Sequence, residues 1–339
     1  MTKYNYDYVS TIVKLVMKPS LISDGLDLDE YYLFAKRNKM RLLFLNSLDE
    51  NQLTDLLIHE KHRLTKRKDD VNFLINSISN ILNINNIRYS FFKTIRPYEE
   101  VTVDIDLIIY DDFHNTIMDS HNYNIDLLEH GPLSSTYRSN EVMMDIDFYK
   151  DVGVSYYKYL DNNELINHVI EMDYNDAHIK VLSPIADILS IVSHSYIKEQ
   201  LYVLSEFFTY VYYVNKMSTE TMDQLISLSK KWNLYRCLSM HNSISCYIYE
   251  TSLGDLSDNM QYLKQNLLMD TLDVDIIKKT NSELPYKYNY KSVLKTLVDK
   301  LHDPVSRNSL LTQVINMLNP LFLLKFSRDF YRHITRETY

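Results

Sequence analysis

The sequence predicts an α+β protein, a small mixed sheet flanked by an N-terminal helical region and a large C-terminal helical domain. Three observations predict it. Apolar residues recur at helical spacing before residue 86, alternate with period two over 87–109 and 142–148, and return to helical spacing after Ser183-Pro184. At 339 residues the chain exceeds the usual single-domain size. The changes of period divide it into a helical region at 1–86, an α/β core at 87–182 and a helical domain at 183–339.

Each element follows from its local pattern. Val71, Leu74, Ile75, Ile78, Ile81 and Leu82 form one helical face, and Asn85-Asn86 ends that helix. Ile87, Tyr89 and Phe91 alternate in a first strand that closes at Lys93, before a turn around Pro97. Val101, Val103, Ile105, Leu107 and Ile109 alternate strictly, which puts Thr102, Asp104 and Asp106 on the other face of a second strand. A polar stretch with His114, His121 and the turn His130-Gly131-Pro132 follows. Val142, Met144, Ile146 and Phe148 then alternate in a third strand whose opposite face carries Asp145 and Asp147.

Ile179–Leu182 is a short apolar run, and Ser183-Pro184 starts a helix with serine as cap and proline at its first position. Ile185, Ile188, Leu189, Val192 and Tyr196 make its apolar face. Asp187, Ser190, His194 and Lys198 form a polar stripe opposite, facing solvent or lining a cleft. The next helix, around 200–215, is apolar nearly all round, but Ser205 and Glu206 interrupt it and it falls short of a membrane span. No membrane partner is expected.

Composition excludes several classes. A net charge of −9 argues against holding nucleic acid mainly through a basic surface. Two cysteines, Cys237 and Cys246, are too few for a four-ligand zinc site or a disulfide framework and read as core thiols. Only four glycines exist, none close enough to another for a Gly-rich phosphate loop, so Walker and Rossmann fingerprints are absent. The polar, tyrosine-rich stretch 1–10 shows no signal-peptide pattern, and a cytoplasmic location is expected. Lys61, Arg63, Lys66, Arg67 and Lys68 read as a solvated helix face, with contact to a nucleic-acid acceptor as the alternative.

The chemistry lies in the acids. Two carboxylates at i, i+2 on a strand stand side by side, repelling one another by roughly 2–4 kcal/mol at an effective dielectric of 20. A divalent cation relieves that repulsion, and hard oxygen donors suit Mg²⁺, with Mn²⁺ as substitute. Aspartate is a poor strand former, so acids in two apolar strands call for such compensation.

Phe92-Lys93-Thr94, nine residues, then Asp104-Ile105-Asp106-Leu107 resembles the nucleotidyltransferase superfamily related to DNA polymerase beta. That pattern is a strand-end Gly-Ser, a spacer and Asp-x-Asp. The run Lys93-Thr94-Ile95-Arg96 through Tyr98 and Val103-Asp104-Ile105-Asp106 is more closely similar to a largely uncharacterised archaeal nucleotidyltransferase family. So is Leu182-Ser183-Pro184 followed by the helix containing His194. The likeness covers roughly residues 30–215.

The resemblance implies a nucleotidyltransferase core at 87–182 that moves a nucleoside monophosphate from an NTP to an acceptor. Asp104 and Asp106 would bind metal and nucleotide phosphates. A third carboxylate, Asp145 first and Asp147 second, would ligate metal near the acceptor and take its proton. Lys93-Thr94 replaces the family's Gly-Ser, leaving Lys93, Thr94 and Arg96, with Arg138 as a weaker choice, to meet triphosphate oxygens. His194 and Lys198 would line the nucleotide cleft. Acceptors across the superfamily include RNA ends, tRNA, protein side chains and small hydroxylated molecules, and nothing in this sequence chooses among them. The competing readings are a degenerate core that binds without turnover and a metal-dependent glycosyltransferase using Asp-x-Asp. A nuclease is disfavoured because Phe148-Tyr149-Lys150 has no acid two positions before its lysine.

Overall fold

The computed structural model describes residues 5–18, 25–111, 124–268, 271–280 and 283–335. His114 and His121 lie outside the described residues. The chain forms two compact units. One groups Met1–Lys68, Arg96–Val101 and Val192–Thr296; the other groups Asp69–Ile95, Thr102–Ile191 and Leu297–Tyr339. Both are assembled from separate stretches, whereas the divisions read from the sequence at 86 and 182 are linear.

The second unit contains the sheet. Its strands are β1 Tyr89–Phe91, β2 Ile105–Ile109, β3 Ile125–His130, β4 Ser134–Ser139 and β5 Asp145–Tyr149. A small separate ribbon, β6 Gly153–Val154 with β7 Tyr157–Lys158, precedes β8 Val169–Tyr174 and β9 Ala177–Leu182. The seven strands of the main sheet run in the order β3-β4-β5-β2-β1-β9-β8. β2 pairs in parallel with β5, and β1 with β9; the other pairs are antiparallel. The architecture is therefore α+β with a mixed sheet.

The helix Asp55–Ile84 buries Val71, Leu74, Ile75, Ile78 and Leu82, the face expected from their spacing. It ends as Asn85-Asn86 suggested. Asn86 turns left-handed at φ 53°, and the Ile87 amide donates to the Leu82 carbonyl at 2.9 Å, a closing bond of the Schellman type.

Three expectations need correction. The second strand begins at Ile105, not Val101: Val103 is exposed, and the Thr102 hydroxyl donates to the Asp104 carbonyl at 2.6 Å, closing a turn. The polar stretch before Val142 includes a hairpin, β3 with β4, and the expected turn at His130-Gly131-Pro132 joins its strands, the Gly131 amide donating to the Ser134 carbonyl at 2.8 Å. The polar stripe of the helix Pro184–Ser193 and the π-helical turn His194–Glu199 does not face solvent, because Asp187, Ser190 and His194 are buried.

The first unit is helical, with a two-stranded ribbon of β10 Leu201–Tyr202 and β11 Tyr286–Lys287. Its helix Leu204–Lys216 buries Leu204, Phe207, Phe208, Tyr210, Val211 and Val214, nearly all round as expected. Cys237 and Cys246 are buried thiols of the helix Tyr235–Leu253, not joined in a disulfide. Among the described residues, no helix is long and apolar enough to cross a membrane.

Candidate metal centre

The parallel pairing of β2 with β5 builds the site. Ile105, Leu107 and Phe148 are buried on these central strands, and the register they share sets Asp106 directly opposite Asp147. Neighbouring strands lie about 4.8 Å apart, so the two carboxylates are adjacent. Asp104, in the bend just before β2, adds a third. Among the described residues, Asp104, Asp106 and Asp147 form a group able to hold a metal ion, one carboxylate oxygen from each lying within 4.8 Å of the others. Asp106 is buried and its two partners are half-buried.

Asp145, the first choice for the third carboxylate, is not in this group; Asp147 stands there. The reason is a competing cation. Arg138 faces Asp145 across the β4–β5 ladder and binds it with Nε at 2.8 Å and Nη2 at 2.7 Å. Arg138 is thereby placed on a carboxylate. Asp147 has its own supports: the Thr136 hydroxyl donates to Oδ1 at 2.6 Å, and the Tyr149 hydroxyl lies 3.5 Å from Oδ2. Burial, reinforced by Asp106, Asp147 and Asp104, pushes the Tyr149 phenol well above its usual range, so it remains a donor.

Lys93 enters the same cluster. Its backbone is left-handed, φ 49°, a conformation glycine adopts without strain, at the position where the resembled pattern has glycine. Its amide donates to Asp187 Oδ1 at 2.9 Å, and its ammonium lies 2.9 Å from Asp106 Oδ1. The rings of Phe92 and Tyr149, paired edge to face, lie on one side of that ammonium with centroids 5.4 and 5.9 Å away. The side chain is only 12% exposed. Thr94 is buried, and its hydroxyl accepts from the Asp106 amide at 2.8 Å while lying 3.3 Å from the Asp106 carbonyl. It fixes the backbone of Asp106 rather than presenting an open hydroxyl.

The remaining expected residues belong to the other unit. Arg96 donates to Thr209 Oγ1 at 3.2 Å, and His194 Nε2 lies 3.2 Å from Glu199 Oε1. Lys198 is half-buried in the same π-helical turn. In the basic run, Arg63 pairs with Glu60 at 2.7 Å and Lys68 with Glu99 at 2.5 Å.

Sequence reasoning missed Tyr149 and Thr136. Tyr149 had a signal, since it continues the i, i+2 series of Asp145 and Asp147 on one face of the strand. Thr136 had none, because only the register of β4 against β5 brings it to Asp147.

No protein-family model matches the chain, and no curated protein matches it. Among solved structures it is similar to an antigenic nucleotidyltransferase-like protein from Paracoccidioides brasiliensis. The identity is 13% and the TM-score 0.32, over 48% of this chain and 88% of that one.

Proposed function

We propose that the chain is a metal-dependent nucleotidyltransferase that moves a nucleoside monophosphate from an NTP to a hydroxyl-bearing acceptor. The observation that carries this reading is the convergence of Asp104, Asp106 and Asp147 at one end of two parallel strands. Three hard oxygen donors at this spacing fit Mg²⁺ or Mn²⁺. When bound, such an ion supplies charge stabilisation to the phosphoryl oxygens.

The residues contribute position and proton handling. Asp106, fixed by Thr94 and by its place in the ladder, would hold the ion together with Asp104. Asp147, held by Thr136, is the base nearest the acceptor. The acceptor oxygen bonds to the α-phosphorus as the bond to the pyrophosphate oxygen breaks; the acceptor's proton passes to Asp147 and pyrophosphate leaves. Phosphoryl chemistry of this kind depends chiefly on alignment and electrostatics. RNA ends, including those of tRNA, are among the acceptor classes to be tried.

Thermal stabilisation of the full chain by each NTP, with and without Mg²⁺, tests the site, since a ligand that binds only the folded state raises the melting temperature. The expected result is a Mg²⁺-dependent rise with at least one NTP, abolished by Asp106→Asn and Asp147→Asn and retained in Asp145→Asn. No rise with any nucleotide contradicts the proposal.

One observation favours a second reading. A lysine bound to Asp106 stands where the resembled pattern has glycine, and the Thr94 hydroxyl is engaged on the Asp106 backbone, a departure that a module binding nucleotide without turnover would tolerate better than a catalyst. Saturable NTP binding with no transfer to any acceptor identifies that case.

A further inference from the structure

Lys93 is the feature that the acid cluster alone does not explain. Its ammonium reaches Asp106 Oδ1 at 2.9 Å and is mostly enclosed. Its stem is fixed at the base by the Lys93 amide on Asp187, and its head lies beside the edge-to-face pair of Phe92 and Tyr149. An exposed lysine would lose several rotamers to adopt this geometry; here backbone, ring faces and carboxylate define it together.

We propose that Lys93 is a built-in cation of this site, standing on Asp106 where a second divalent ion would otherwise sit, so that the centre takes one metal ion rather than two. This rests on the metal-dependent reading above and says how many ions that site holds. The charge balance supports it: three carboxylates and one ammonium leave a formal charge of −2, which a single divalent ion neutralises. A second ion beside Lys93 would face an ammonium bound to the same carboxylate, a repulsion that low-dielectric surroundings strengthen. The carboxylates of Asp104, Asp106 and Asp147 suit one ion that retains several waters and shares its coordination with substrate phosphate. Lys93 thus acts as a positioning residue and a fixed counter-charge, which sets the metal stoichiometry.

The test is Mn²⁺ binding to the full chain without nucleotide, followed by calorimetry and by the paramagnetic resonance of free Mn²⁺. The wild type is expected to take one Mn²⁺. Lys93→Met keeps the aliphatic stem and Lys93→Gly suits the left-handed backbone; each is expected to take two Mn²⁺, the first at least tenfold more tightly than the wild type binds its one. Lys93→Arg, which keeps the charge, should bind one Mn²⁺ at nearly wild-type affinity, a rescue that a merely structural role would not give. Two Mn²⁺ per wild-type chain, or affinities of the Met and Gly variants within twofold of wild type, would overturn the Lys93 role while leaving the metal site intact. Binding by the variants but none by the wild type would also overturn it, Lys93 then being the sole counter-ion. No binding by any of the four proteins would remove the metal-dependent reading itself.

Discussion

His241 is wholly enclosed in the helix Tyr235–Leu253, its ring 4.9 Å from that of Tyr202 and 5.0 Å from that of Tyr210. Burial lowers its pKa from 6.5 to about 3. Between those values the unfolded chain binds a proton that the folded chain does not. The stability His241 contributes is therefore complete above pH 6.5 and is lost as the pH falls toward about 3. Urea midpoints measured from pH 7.5 down to pH 4 should fall less steeply in His241→Phe, by up to the slope of one proton per molecule. Parallel profiles would show that the ring is not held neutral. At this scale the sequence revealed residue types better than partners. Asp104 and Asp106 could be picked out by spacing, but choosing Asp147 over Asp145 required knowing that Arg138 lies opposite Asp145 on β4. Lys93 and Thr94 were visible as a departure from the resembled pattern. That Lys93 points its ammonium at Asp106, and that Thr94 holds the backbone of Asp106, are matters of tertiary geometry.

At the scale of elements, the ribbon of β6 and β7 depends on the absence of a side chain at Gly153. A Cβ there would stand 2.3 Å from the Tyr157 carbonyl oxygen and 2.5 Å from Leu133 Cδ1. The ribbon is held in turn by the helix Pro304–Met317, with the Tyr156 amide donating to Gln313 and the Lys158 amide to Ser309. Gly153→Ala is expected to destabilise the fold by about 2 kcal/mol, within the range for overpacking a closed site, and to lower the chemical-denaturation midpoint. An unchanged midpoint would mean that the ribbon can open without cost. Elements with apolar periodicity were readable: the helix through Val71–Leu82, the cores of β1, β2 and β5, and the helix after Ser183. The β3–β4 hairpin was not, because β4 buries Ser135, Tyr137 and Ser139 while β3 leaves Leu127 and Leu128 exposed. Burial alternates along β4, but two of its three inward residues are serines, so hydrophobicity carries no trace of it.

For the whole molecule, chain order and spatial grouping diverge. Residues 297–339 belong with the sheet, while Arg96–Val101 is built into the helical unit, where Tyr98 donates to the Ser205 carbonyl at 2.7 Å and Glu100 accepts from the amides of Leu42 and Leu43. A linear pass marks where periodicity changes, and it has no means of seeing a six-residue insertion of one unit into the sequence of the other. The fold class could still be read, since it depends on the count and order of periodic segments. The proposed nucleotidyl transfer rests on fewer residues, and it requires that the bond broken lie at the α-phosphorus. The most direct measurement incubates the full chain with Mg²⁺, cellular RNA and protein, and each NTP labelled in parallel at its α- or γ-phosphorus. Label from the α position should enter a macromolecular or small acceptor, be lost in Asp106→Asn, and be accompanied by release of γ-labelled pyrophosphate. Transfer of the γ label, or of neither, would contradict nucleotidyl transfer.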